Sequence, residues 1–282
     1  MALLDMVRKQ KQVYAVVHVN YHWRKSANRD MHIVQRYCHV YHLKLFIKQI
    51  NPAIYQTNQI KNFEAWARNV RYKFFNFVAN LTNHHHLLIA HHLDDYLETS
   101  LMQLIKHRNL FYYGIKKHNV MQHLIIHRPF LDKYSKNDLI NYCHTHHLSY
   151  GIDETNNNPK YLRNYIRLLL NNYQVKKQLL LSLIRQLNDS LHSQYHKSLL
   201  YYQQWINAND LSILFKLSLN YQLNLLKIYL YLHHIKNLSQ NKLNGILGFL
   251  HSNLNQKAFR VAPNIYLTKN HKKIFLIKDY VK

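Results

Sequence analysis

Through its first 170 residues the chain alternates short apolar runs with helical stripes, and then the alternation stops. Val13 to Val19, Leu45 to Ile50, Leu87 to Ala90 and Leu124 to Ile126 have the length and composition of buried strands. Helices are expected from the start to about Val7, from the turn at Arg24, Lys25 and Ser26 to about His42, and from Ile60 to Leu81. In the last of these Ile60, Phe63, Ala67, Val70, Phe74 and Phe77 form one apolar stripe. A further stripe, Leu97, Leu101, Leu104 and Ile105, follows the third strand. Ser135 with Asp138 three residues on marks a capped helix start, running to about His147. Strands separated by helices at this spacing need crossover connections, so the expectation is an α/β fold, a parallel sheet flanked by helices. Beyond Leu170 helical patterns such as Leu225, Ile228, Tyr229, Leu232 and Ile235 run to about Leu254. Short strands close the chain at Ala258 to Ala262, Ile265 to Thr268 and Ile274 to Ile277. The pattern predicts two domains, an α/β domain over 1–170 and a mainly helical one over 171–282, and 282 residues suffice for two cores.

Charge narrows the function. The chain has 38 Lys and Arg against 13 Asp and Glu, a formal +25, and both predicted domains share the excess. The commonest polyanion to meet such a field is nucleic acid, with an anionic membrane second; compositional drift toward Asn, Lys, Tyr and Ile is the bland alternative. No apolar run reaches the ~18 residues a membrane span needs, and the N-terminus lacks a signal-peptide layout, so the cytoplasm is expected. Cys38 and Cys143 are single and far apart, which offers neither a disulfide framework nor a CxxC motif. The histidine clusters lack acidic partners and read as polar surface rather than a zinc site.

Against that background three of the scarce acids, Asp94, Asp95 and Glu98, fall within His91 to Thr99, where a strand ends and a helix begins. Open α/β sheets bind ligands beyond the carboxyl ends of their strands. Asp95 and Glu98, at i and i+3, share a helix face that can hold a divalent cation or orient a cationic group. Ordinary helix chemistry is the competing reading, with Asp94 as N-cap and the acids complementing the macrodipole. Glu64, Arg68 and Arg71 also share a helix face. They are either a stabilising pair worth ~0.3–0.5 kcal/mol or arginines aimed at a phosphate or carboxylate. Arg163 and Arg167, at i and i+4, repel unless an anion lies between them, which favours a phosphate-facing role.

With those segments placed, the chain resembles the tRNA(Ile)-lysidine synthases of the PP-loop ATP pyrophosphatase superfamily. His18-Val19-Asn20 with Arg24 is similar to the family's segment after its second strand, and Glu64 to Tyr72 to its arginine-bearing helix. His91 to Thr99 resembles its most diagnostic segment, Arg128-Pro129-Phe130-Leu131 its Arg-Pro strand end, and Asp153 to Arg167 its closing Asp, Asn and Arg-Asn-x-x-Arg motif. The resemblance extends to about Leu170. It implies ATP-dependent adenylation at C2 of the wobble cytidine of a CAU-anticodon tRNA(Ile), after which free lysine displaces AMP to give lysidine. It further implies ATP and Mg2+ as cofactors, tRNA and lysine as partners, no membrane, and a homodimer as one admissible assembly. By the same resemblance Asp95, Glu98, Arg71 and Arg163 would be catalytic, with Asp95 and Glu98 serving Mg2+ or the lysine amine. His18, Asn20 and His91 would bind ATP, and Arg68, Arg128 and Arg167 would contact tRNA.

One departure stands out. The family's Ser-Gly-Gly-x-Asp-Ser phosphate loop has no counterpart, since Gly114, Gly151, Gly245 and Gly248 are the only glycines and none is paired. Met1-Ala2-Leu3-Leu4 resembles the run that directly follows that loop, so Met1 is expected to be internal to the gene product, with the first strand and loop upstream. Tyr21 and His22 replace the family's usual His-Gly. Two rival readings are a tRNA-binding protein without catalysis, or an inactive truncated synthase, and a tRNA thiolase of the same superfamily, for which cysteine pairs would be expected.

Overall fold

The computed structural model describes residues 1–54, 60, 62–151, 162–172, 174–235, 238–254 and 257–278. They form two compact units, Met1–Thr99 with Gly114–Asn171, and Ser100–Tyr113 with Asn172–Lys282. The segment 100–113 therefore packs with the second unit although it lies, in sequence, inside the first.

In unit 1, β1 (Val16–Asn20) and β2 (Leu45–Gln49) pair in parallel with Val16 opposite Leu45, joined through α2 (Ala27–Val40). A second sheet holds β3 (His86–Leu88), β4 (His118–Met121) and β5 (Leu124–His127), with β3 parallel and β4 antiparallel to β5. The parallel pairings follow the expected crossover logic; β4 does not appear in the sequence pattern. Its Val120 is 70% exposed, His118 and Asn119 are polar, and Met121 packs against the core, so the four residues carry too little apolar pattern to read as a strand. A tight turn with Gln122 at φ 56° folds it back onto β5.

Helix α3 (Phe63–Thr82) starts at Asn62, whose side chain accepts from Ala65 N, and ends at Asn83 in the left-handed region. Its buried face differs from the predicted stripe. Phe77 is 61% exposed, and the face that packs on β3 and β5 runs through Tyr72, Phe75 and Ala79. Small Ala and amphipathic Tyr carry little weight in an apolar count, yet they are the residues that fit against a sheet. Helix α4 (Leu93–Ile105) begins in unit 1, followed there by α5 (Lys136–Thr145) and α6 (Leu162–Asn172). The expected capping box at α5 is present, with Ser135 and Asp138 bonded reciprocally.

Helix α1 (Ala2–Lys9) is tied down by one acid. Asp5 is 1% exposed and accepts from Tyr37 Oη of α2 at 2.6 Å, Tyr142 Oη of α5 at 2.7 Å, Arg8 at 2.9 Å and Lys9 at 2.9 Å. Burial alone would raise the Asp5 carboxyl. The bonds from Tyr37, Lys9, Tyr142 and Arg8 outweigh it and hold the group well below the usual carboxylate range.

Unit 2 contains α7 (Gln174–Ala208), α8 (Leu211–Phe215), α9 (Leu219–Leu232), α10 (Gln240–His251) and an antiparallel meander of β6 (Ala258–Ala262), β7 (Ile265–Asn270) and β8 (Lys273–Lys278). Its core gathers Trp205, Leu214, Leu225, Leu226, Leu230, Ile246 and Leu267, each at most 1% exposed. At about 1.5–3 kcal/mol per fully buried large side chain, such a cluster supplies the unit's main stabilising term.

Candidate functional site

The acids at the start of α4 do three different jobs. Asp94 lies inside α4, and its Oδ2 accepts from Lys136 N, the first residue of α5, at 2.7 Å. It thus satisfies a neighbouring helix's free amide. Asp95 reaches back one turn to accept from His92 N at 3.1 Å, which fixes the entry of the chain into α4. Glu98 is 1% exposed and is enclosed by guanidinium groups.

That enclosure is the centre of the site. Arg167 of α6 forms a fork on Glu98, Nε to Oε1 at 2.7 Å and Nη2 to Oε2 at 2.9 Å. Arg163, one turn earlier, brings Nε to 3.2 Å of Oε2 and donates from Nη2 to Thr99 Oγ1 at 3.0 Å. The bond from Glu98 pushes the Arg167 guanidinium above its ordinary value, against the opposing effect of burial. The anion that the i, i+4 arginine spacing called for is thus Glu98 itself, a corrected expectation: the protein supplies the charge that was assigned to a phosphate. Both Glu98 oxygens accept from arginine. Among the described residues no group of three or more His, Cys, Asp or Glu could hold a metal ion.

His91, at the end of the third strand, is the second focus. Arg128 Nε donates to its Nδ1 at 3.0 Å, so the neutral ring carries its proton on Nε2. Burial is the main cause that pushes His91 down to about 4; Asp95 opposes it, and Arg128, Arg68 and Arg163 reinforce it. Arg128 is only 3% exposed, donating from Nη1 to Lys116 O at 2.7 Å and Asn119 Oδ1 at 2.5 Å. A side chain so enclosed orients His91 and does not present itself to an RNA backbone, contrary to its expected tRNA contact.

The remaining predicted residues lie around the end of β1. Asn20 is 2% exposed, its amide donating to Asn28 Oδ1 and its Oδ1 accepting from His22 N. It closes the turn after the strand and pins α2, so its groups are spent internally rather than on a nucleotide. Burial lowers the His18 imidazole, with Asp30 raising it and Arg71 lowering it. Arg71 lies 5.7 Å from the Tyr21 ring centroid. Arg68, exposed on α3, lies 4.7 Å from the Tyr72 ring centroid. The structure therefore joins Asp95, Glu98, His91, Arg68, Arg128, Arg163 and Arg167 around two foci, and places Arg71 with His18 and Tyr21. Asp153 and the loop to Pro159 lie outside the described residues. Sequence reasoning missed Thr99 and Asn119, single polar residues whose importance comes only from which arginine reaches them.

Residues 1–173 match the PP-loop domain family. The chain is 33% identical to the tRNA(Ile)-lysidine synthase of Ureaplasma parvum, covering all of this chain and 85% of that protein. It is 35% identical to that of Mycoplasmopsis pulmonis over 99% of this chain and 96% of that one. It is 33% identical to that of Mycoplasma genitalium over 94% and 90%. Among solved structures, the U34-tRNA thiolase NcsA of Methanococcus maripaludis, solved with its [4Fe-4S] cluster, superimposes with a TM-score of 0.53. That match covers 67% of this chain and 68% of the thiolase at 14% identity, a likeness of fold alone.

Proposed function

The chain belongs to the PP-loop family and, within it, to the tRNA(Ile)-lysidine synthases, and we propose that it joins lysine to C2 of the wobble cytidine of CAU-anticodon tRNA(Ile). The family uses ATP. In the first half-reaction the cytidine C2 oxygen attacks the α-phosphorus of ATP and pyrophosphate leaves. In the second an amine of free lysine adds at C2, and AMP departs with that oxygen while the amine gives up its proton. The cytoplasm, where tRNA is modified, is the expected compartment.

The observation that carries this reading is Arg128 bonded to a neutral His91, with Glu98 holding Arg163 and Arg167. Negative charge grows on the leaving pyrophosphate, and preoriented cations in a water-poor site stabilise it more than free cations would. Arg68 faces phosphate, Arg128 holds His91 with its Nε2–H available to a nucleotide oxygen, and Arg163 and Arg167 are positioned by Glu98. Asp95 is the acid left to attract the lysine amine. Magnesium would come with ATP, and none of the roles named here depends on it. A thiolase reading gains no support from Cys38 and Cys143, which are free, buried and single.

The adenylation half-reaction is tested by ATP–pyrophosphate exchange with purified protein. Exchange that requires CAU-anticodon tRNA(Ile) and needs no lysine is the expected result. Absence of exchange with that tRNA, alongside retained tRNA binding, would favour the non-catalytic binder.

A further inference from the structure

The turn after β1 carries an aromatic group that the reaction chemistry does not use. Trp23 is 55% exposed and lies parallel on Phe63 of α3, centroids 4.0 Å apart and planes 17° apart. Phe63 in turn meets Trp66 at 5.7 Å and Tyr21 at 6.0 Å. The group is held rigidly. Tyr21 Oη donates to Ala67 O at 2.6 Å. His22 sits in the left-handed region at φ 51°, where its amide reaches Asn20 Oδ1 at 2.8 Å. That conformation disfavours side chains, and it accounts for the family's usual glycine at this place. Here the strained turn is kept with a histidine, and it sets Trp23 against Phe63.

Cations flank the rings in the sequence, and Arg71 lies 5.7 Å from the Tyr21 ring centroid. Arg24, Lys25, Arg68 and Arg71 lie on the same turn and the same stretch of helix; of the nearby acids, Asp30 is bonded by Arg24 at 3.2 Å and Arg29 at 3.0 Å, and Glu64 stands alone in the first turn of α3. An exposed indole stacked on a second ring, on a turn that also carries arginine and lysine, suits unpaired nucleotides: bases stack on the ring and phosphates meet the cations. Duplex RNA, whose bases are already stacked, gains nothing from it.

We propose that Trp23, backed by Phe63, stacks an unpaired base of the tRNA anticodon loop, a subsite distinct from the one that takes the reacting cytidine. The proposal rests on the tRNA reading above, and the occupant is an RNA base rather than the adenine of ATP. The exposure of Trp23 and the basic residues on its turn both favour RNA, because a subsite for a small nucleotide would enclose its base.

The test is a binding measurement on the full-length protein without ATP, using an anticodon stem-loop RNA and a set of the same RNA with single abasic positions through the loop. Trp23→Ala should weaken binding of the intact stem-loop about tenfold, the usual worth of one stacked base, and Trp23→Phe should lose much less. One abasic position should erase the difference between Trp23→Ala and the parent, and unchanged melting curves should show that both variants fold. Equal affinity of parent and Trp23→Ala overturns the proposal, as does a Trp23→Ala loss that is the same on every abasic RNA. Quenching of the Trp23 signal by ATP alone, with RNA affinity untouched by the substitution, overturns it in favour of an adenine subsite. If the parent itself fails to bind the stem-loop, the tRNA reading falls and takes this proposal with it.

Discussion

Replacing Glu98 with glutamine is expected to reduce lysidine formation by about a hundredfold or more, the scale seen when one preorganised electrostatic contact is lost from an active site. The cause is indirect, because Glu98 touches arginines rather than substrate. As a carboxylate it offers acceptors to Arg167 at 2.7 and 2.9 Å and to Arg163 at 3.2 Å. Glutamine has one acceptor and one amide that repels a guanidinium, so at least one fork is lost and two like charges one helical turn apart are left to separate. The loss should fall on kcat for pyrophosphate exchange more than on the KM for ATP, a split that mere loss of folded protein would not produce. Glu98→Ala goes further. It leaves a half-buried Arg167 charge uncompensated, at a cost of about 3–5 kcal/mol. A double-mutant cycle with Arg167→Met separates the contact from its surroundings and should show a coupling of about 1–3 kcal/mol. Additive effects would mean that the two side chains do not act as a unit.

Asp5→Asn is the larger stability effect in unit 1, expected to cost about 3 kcal/mol. The acid is the common acceptor of α1, α2 and α5, and the asparagine amide cannot accept from four donors. Its effect on pH dependence has a definite sign. The folded-state carboxyl is held below its unfolded value, which is about 3.9, so its contribution is complete above that value and is lost as pH falls below it. Parent protein should therefore lose stability on acidification from about pH 5 downward. Chemical denaturation of Asp5→Asn over the same range should give a flatter acid limb. An acid limb as steep as the parent's would show that Asp5 is not the group responsible.

Much of this was legible in the sequence, for physical reasons. Apolar runs bounded by turns gave β1, β2, β3 and β5, since a strand buried by helices must be apolar along its length. Ser135 with Asp138 gave the start of α5, because both halves of a capping box are local. The clustering of acid at residues 94–98 marked the site, as any acid does in a chain this basic. What was not legible depends on distance in space. The i, i+4 repulsion between Arg163 and Arg167 required an anion, and nothing local said that it would be Glu98, 69 residues before Arg167. The resemblance gave Arg128 a tRNA contact, and burial of a charged side chain cannot be seen in sequence. Asn20 read as a ligand for the same reason: its partners, Asn28 and His22, are ordinary polar residues until the turn brings them together. The face of α3 was misread because Tyr72 and Ala79 bury as well as Phe77 was expected to.

The central claim is that the arginine cluster around His91 and Glu98 serves transfer of lysine to tRNA. It is tested most directly by incubating the protein with labelled lysine, ATP and CAU-anticodon tRNA(Ile), then digesting the tRNA and locating the label. Label on the wobble nucleoside, dependent on ATP and reduced by Glu98→Gln, is the predicted result. Label on no tRNA in the presence of ATP, or equal labelling by parent and Glu98→Gln, would contradict it.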